Sequence, residues 1–224
     1  TEKQAQLQQW IDNIVRKLDK HFDGDVDHNN HRYLADSVLT AWGVETGDNQ
    51  LVEQGIARYH EALRQMRSDG SLPLETRRGS RALWYMRQSL ANLAMTAESA
   101  ALTGRNLHPE TRDGKTYETM LAFFLNAVAN PLIVYPYAME NYIPGPDDTP
   151  LTQDMGMLQT RPHERHYMAF AEAYLARHTT GFTTQRFRAF MKRTGFNERP
   201  LMDEFAGGNA TCFWLEPDTI AETK

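Results

Sequence analysis

Apolar side chains open the chain at Leu7, Trp10, Ile11, Ile14, Val15, Leu18 and Phe22. Steps of three and four set them on a single stripe, which predicts an amphipathic helix over Gln6–Phe22. Asp23-Gly24-Asp25-Val26-Asp27 breaks that pattern. A second helix is expected over His31–Glu45, stopping near Gly47-Asp48. A third, over Asn49–Met66, puts Leu51, Ile56, Tyr59 and Leu63 on one side and closes at Ser68-Asp69-Gly70. Ser71 to Glu75 reads as a short loop before the most apolar stretch, Arg78–Leu102, which ends at Gly104.

A turn-rich span from Asn106 to Gly114 precedes a helix over Tyr117–Ala129, stopped by Pro131. Pro131 to Pro150 holds five of the ten prolines and is expected to be a long ordered loop. Helices resume over Glu164–Ala176 and Thr184–Lys192. The tail around Gly207-Gly208 and Cys212-Phe213-Trp214-Leu215 suggests a short extended piece. No other alternating pattern of strand length occurs, so the fold class is all-α, with antiparallel helices in pairs. Helix pairs stacked round a ring or a solenoid give this rhythm.

Composition narrows the function classes. The 224 residues, 41% apolar and 24% charged, suit one domain spanning 1–224 with a substantial core. Lys and Arg number 24 against 29 Asp and Glu, a net charge of −5. That balance supplies no global field for nucleic acid, so any polyanion must be held by a local positive cluster. A single cysteine, Cys212, excludes an intrachain disulfide framework. No apolar run approaches the roughly 20 residues of a membrane-spanning helix. The chain opens without Met or a signal-like apolar region, which points to a processed terminus or a start inside a longer chain.

Three local features carry candidate chemistry. Asn29-Asn30-His31 stands at the start of a predicted helix. Capping explains one asparagine; the second amide and the imidazole are left over as donors. Glu75-Thr76-Arg77-Arg78-Gly79-Ser80-Arg81, with Arg87 beyond it, is a dense positive patch at a helix start, where the helix dipole disfavours cations. The planar fork of Arg suits carboxylate or phosphate. Tyr85 follows Arg78 by two helical turns, so both should project from one face. Asn, His, Arg and Tyr together resemble the equipment for taking a proton from carbon next to a carboxylate.

The strings Asn29-Asn30-His31-Arg32-Tyr33 and Leu72-Pro73-Leu74-Glu75-Thr76-Arg77-Arg78-Gly79-Ser80-Arg81-Ala82-Leu83-Trp84-Tyr85 resemble the alginate lyases of polysaccharide lyase family 5. Gly207-Gly208-Asn209-Ala210-Thr211 is similar to that family's late glycine-rich segment. The resemblance implies an incomplete toroid of paired α-helices with a long substrate groove. It also implies β-elimination on uronic acid polymers, most of all polymannuronate, with no cofactor and no metal. Asn30, His31 and Arg78 would neutralise the substrate carboxylate. Tyr85 would move the proton from C5 to the leaving O4, and Glu75 would fix the fork of Arg78. Asn29, Arg77, Arg81, Tyr137 and Arg161 are further substrate-binding candidates. The expected partner is an anionic polysaccharide, handled by a monomer in the periplasm or outside the cell.

The family carries a longer stretch before its Asn-Asn-His, with a lid and a tryptophan pair; here 28 residues precede Asn29, so those parts are expected either to be absent or to lie on sequence upstream of Thr1. Leu34-Ala35-Asp36-Ser37 stands where the family has an aromatic-rich run. Polyglucuronate or hyaluronan is the alternative substrate, and a non-catalytic polysaccharide-binding toroid the alternative class.

Other features read more blandly. His163 and His166 are three apart but lack a third ligand for zinc, so Arg161, His163 and Arg165 are better placed as groove-rim contacts. Tyr135, Tyr137 and Tyr142 either stack on sugar or anchor the proline-rich loop. Asp147-Asp148 lacks the spacing of a calcium loop. Cys212 suits a small core position, and Ser37 and Ser89 have no nucleophile-elbow glycines.

Overall fold

The computed structural model describes residues 1–24, 28–140, 152–159, 165–196 and 198–214. Helix α1 spans Glu2–His21, α2 Asn30–Thr46 and α3 Asn49–Gln65. A short α4, Pro73–Thr76, and a 3-10 turn, Gly79–Arg81, lead into α5, Ala82–Ala101. Then come α6 (Tyr117–Ala129), α7 (Tyr135–Ala138), α8 (Ala171–Arg177), α9 (Phe182–Arg193) and α10 (Ala210–Trp214). Among the described residues the only sheet is one antiparallel pair, β1 (Met202–Asp203) with β2 (Gly208–Asn209).

Local chemistry sets the boundaries. Thr1 caps α1 in a reciprocal box with Gln4, and Asn29 caps α2 by accepting from the His31 N–H at 2.9 Å. Gly47, left-handed at φ 73°, ends α2, and Asp48 at once caps α3. That two-residue link returns α3 along α2. A Cβ at Gly55 would stand 1.8 Å from Thr40 Oγ1, so only glycine lets the two helices approach so closely. Helix α5 is the hub, buried on nearly all sides and packed by α2, α3, α6 and α8.

Several expectations need correction. The apolar stripe of α1 spans about 140° at 100° per residue. Helix α2 covers half of it, taking Ile11, Val15, Leu18 and Phe22 into a small core with Ala35, Leu39 and Leu51. Leu7, Trp10 and Ile14 face outward. Pro73–Thr76 is a helical turn rather than loop, because Pro73 sits at its first position where no N–H is needed. Helix α8 begins only at Ala171, since Arg165 bridges to Met202 and His166 N donates to Met202 O at 2.6 Å, which draws that stretch into extended pairing. Cys212 is exposed, and it lies with Phe213 and Trp214 in α10, not in an extended piece. Of the expected long loop, Pro131–Ile133 and α7 are helical turns. Tyr142 and Asp147-Asp148 lie outside the described residues.

Candidate active site

The start of α2 is held from below by α5. The first-turn N–H of Asn30 donates to Glu75 Oε1 at 2.5 Å, and Ser89 Oγ donates to the same oxygen at 2.9 Å. Asn92 Nδ2 donates to the Asn30 carbonyl at 3.1 Å. Tyr85, Ser89 and Asn92 are spaced i, i+4, i+7 on α5 and so share one face. Tyr85 thus lies on the face of α5 whose Ser89 and Asn92 hold the helix start bearing Asn30. The side-chain amide of Asn30 is fully buried, and neither its oxygen nor its nitrogen has a hydrogen-bond partner. An amide left so is expensive and calls for an explanation.

Glu75 is fully buried, and burial pushes its carboxyl up to about 7; the bonds from Ser89 and Asn30 and the charges of Arg78 and Arg77 oppose that rise. Glu75 is expected to fix the Arg78 fork, and the charge of Arg78 does act on its carboxyl, without a hydrogen bond between the two among the described residues. No carboxylate lies within 4.0 Å of Arg78 among the described residues, and both hydrogen bonds of Glu75 go to Asn30 and Ser89. The reason is that α4 turns the Glu75 side chain inward toward α5, while Arg77 and Arg78 remain partly exposed.

Arg78 and Tyr85 do meet, though not as two turns of one helix. Gly79, at φ 57°, interrupts the helical path, and Ala82 begins α5. Arg78 lies before the break and folds back, its Cζ 4.0 Å from the centroid of the Tyr85 ring. Arg81 is exposed at the N-cap of α5. Arg87 is not part of the positive patch: on the inner face of α5 it is fully buried, and burial lowers it to about 10. Its guanidinium rests against Tyr167, with Nη1 3.3 Å from the Tyr167 carbonyl.

The helix start is also tied to its surroundings. Arg32, the residue after His31, is buried and donates to the Asp19 and Phe22 carbonyls at 2.8 and 3.1 Å, closing the C-terminal end of α1. It also pairs with Asp19 and Asp36, and burial still raises Asp36 to about 6 against that pairing. Asp36 and Ser37 therefore belong to the α1–α2 contact. The Phe22 and His31 rings lie 5.4 Å apart, and His31 keeps part of its surface open.

Tyr137 belongs to a brace. Its hydroxyl donates to Asp69 at 2.6 Å, and its ring lies 4.2 Å beneath Arg67, which also reaches Thr76 and Glu140. These contacts fix α7 against the α4 turn. Arg161 and His163 lie outside the described residues, while Arg165 pairs with Asp203 and Glu204 and stacks on Tyr167. His166 Nδ1 accepts from the Met202 N–H at 3.2 Å.

Sequence reasoning missed Ser89 and Asn92 as supports, although their spacing from Tyr85 was a usable signal. It missed Gln153 altogether. Gln153 is buried, its Oε1 accepts from the Leu83 N–H at 3.1 Å, and its Nε2 donates to the Gly79 carbonyl at 2.9 Å. A cavity of about 800 Å³ lies away from these residues, between α1, α2, α5 and the C-terminal segment, and its walls are largely apolar.

Comparison with known proteins meets this geometry from outside. Residues 1–133 match the family described as Alginate lyase. A polysaccharide lyase of Stenotrophomonas maltophilia is 35% identical over 106 residues, 47% of this chain and 32% of its own length. An alginate lyase of Pseudomonas syringae pv. syringae is 39% identical over 82 residues, 37% of this chain and 22% of its own. Alginate lyase A1-III, solved as a histidine-to-alanine variant with a tetrasaccharide, superposes with a TM-score of 0.76 at 26% identity, covering 94% of this chain and 53% of that one. Its tyrosine-to-phenylalanine variant with a tetrasaccharide gives 0.75 at 25% identity. The fold is thus the incomplete α/α toroid of these enzymes, and the chain spans about half the length of the solved relative.

Proposed function

The chain belongs to the alginate lyase family, and from that premise we propose that it is a polysaccharide lyase that cleaves a polyuronate, polymannuronate first, by β-elimination. The observation that carries this reading is the Arg78 guanidinium lying over the Tyr85 ring with no carboxylate in ion-pair range among the described residues. A cation beside a phenol suits an anionic substrate from which a proton must be moved.

The chemistry follows from the charge that develops. Removing the C5 proton of a uronate pushes negative charge into its carboxyl group, so the site must supply donors and positive charge there. Arg78 and His31 supply them, and the buried Asn30 Nδ2 gains an acceptor when a carboxylate oxygen arrives. Tyr85, reacting as the phenolate, takes the C5 proton and becomes the phenol; the electron pair forms the C4–C5 double bond and expels O4. The same phenol then returns the proton to O4. In mannuronate and glucuronate the C5 proton and O4 lie on one side of the ring, so one group serves both steps. Arg77 and Arg81 extend the positive rim toward neighbouring uronates. Tyr137, held by Asp69 and Arg67, serves the site through the brace. The same proposal sets the protein in the periplasm or outside the cell, acting as a monomer.

The test is ultraviolet absorbance of the unsaturated uronate end, with the folded chain offered polymannuronate, polyguluronate, polyglucuronate and hyaluronan in parallel. The expected result is a rise that is fastest on polymannuronate. A faster rise on polyglucuronate or hyaluronan would move the substrate assignment. No rise on any polymer, with binding retained, would leave a polysaccharide-binding toroid.

A further inference from the structure

Helix α5 begins without a side-chain cap of its own, because its N-cap residue is Arg81. The first-turn N–H groups of a helix need partners from elsewhere. For Leu83 that partner comes from 70 residues downstream, the Oε1 of Gln153. The other end of the same carboxamide donates to the Gly79 carbonyl, and the neighbouring Asp154 N–H donates to the Ser80 carbonyl at 2.7 Å. The segment at 153–154 thus pins three points, Gly79, Ser80 and Leu83, of the link between Arg78 and Tyr85. A carboxamide offers a donor and an acceptor side by side, as this bridge requires.

We propose that Gln153 is a positioning residue for the elimination: its bridge across Gly79 and Leu83 sets how the Arg78 guanidinium lies over the Tyr85 phenol. Gly79 is the residue after Arg78, and Leu83 stands two before Tyr85, so the bridge spans the link joining them. Gly79 holds a left-handed φ of 57°, a conformation open to glycine without strain, so its carbonyl is free to face Gln153. This role rests on the lyase reading, because it assigns Arg78 and Tyr85 to the reacting carboxylate and proton.

The test uses Gln153→Met, which keeps the length and removes both bonds, and Gln153→Glu, which keeps an acceptor and sets a carboxylate against the Gly79 carbonyl. For each, kcat and KM on the preferred polymer are measured beside circular dichroism and the side-chain NMR signals of Arg78. Protons held over an aromatic face are shifted upfield, so those signals report the stack directly. Expected for folded variants is a fall in kcat of about 10- to 100-fold, as for a small misplacement of reacting groups, with KM changed by less than about 3-fold. The Arg78 signals should move toward their random-coil positions. Unchanged Arg78 signals and kcat in a folded variant would overturn the proposal, as would a loss of kcat that only tracks the unfolded fraction. If Gln153→Met does not fold, Gln153→Glu decides. If the unmodified chain turns over no polymer, the lyase reading fails, and the Arg78 signals still decide whether Gln153 sets the stack.

Discussion

The start of α2 and the turn before α5 both carry residues of the candidate site, yet the first hangs on a buried carboxylate and the second on a buried carboxamide. Glu75 gathers the Asn30 N–H and the Ser89 hydroxyl onto one oxygen and leaves the other without a partner. Gln153 uses both of its polar atoms on backbone. The carboxylate is titratable and the carboxamide is not. One wall of the site should therefore respond to pH through its support, and the other should respond only to loss of geometry. The candidate site thus combines a tunable half with a fixed half.

The largest change expected from breaking this contrast is at the tip of the first wall. His31→Ala should lower kcat by about 10²–10³-fold, by analogy with deleting one donor to a developing oxyanion, with Arg78 and Tyr85 still stacked. Steady-state kinetics with the Arg78 NMR signals checks both halves of that statement. A loss of the stack in His31→Ala would mean that the walls are not independent.

A smaller effect should appear at the support itself. In the folded chain burial raises Glu75 to about 7, above its ordinary value of 4.5. Below that ordinary value both states carry the proton and nothing is lost. Between the two values the unfolded chain releases its proton first, so stability falls as pH rises, and the fall is complete above about 7. Glu75→Gln keeps an acceptor for Asn30 and Ser89 and cannot titrate. Urea unfolding at pH 5 and pH 8 should show the substitution gaining on the unmodified chain by on the order of 1–3 kcal/mol at the higher pH. A difference that stays flat with pH would mean that Glu75 is charged throughout. The Gln153 variants should show no such pH-dependent gain.

The helices were legible in the pattern of the chain because their caps are local. Gly47 and Asp48, or Thr116 before α6, announce a boundary within a few residues. Tyr117–Ala129 agrees end for end with the expected helix, bounded by that cap and by Pro131. Helix α8 was expected too long, because the pairing of His166 with Met202 bridges 36 positions and leaves no local mark. The same division runs through the site. Asn30, His31, Arg78 and Tyr85 stand out as residue types in short strings. The helical face joining Tyr85, Ser89 and Asn92 could have been drawn from spacing. Glu75 was legible as a support but not as the support of Asn30, since only the packing of α4 on α5 decides which way its carboxylate turns. Gln153 had no sequence signal, being one amide set against a turn that lies far upstream.

In the proposed elimination Tyr85 carries the proton, and the grip on polymer comes from other residues. The measurement that reaches this division most directly is Tyr85→Phe, assayed for the unsaturated product and for polymannuronate binding in the same preparation. The substitution removes the hydroxyl and keeps the ring under Arg78. Turnover should vanish while the binding constant stays within about 3-fold, as expected when a group acts only in the transition state. A variant that still turns over at the unmodified rate would contradict the account.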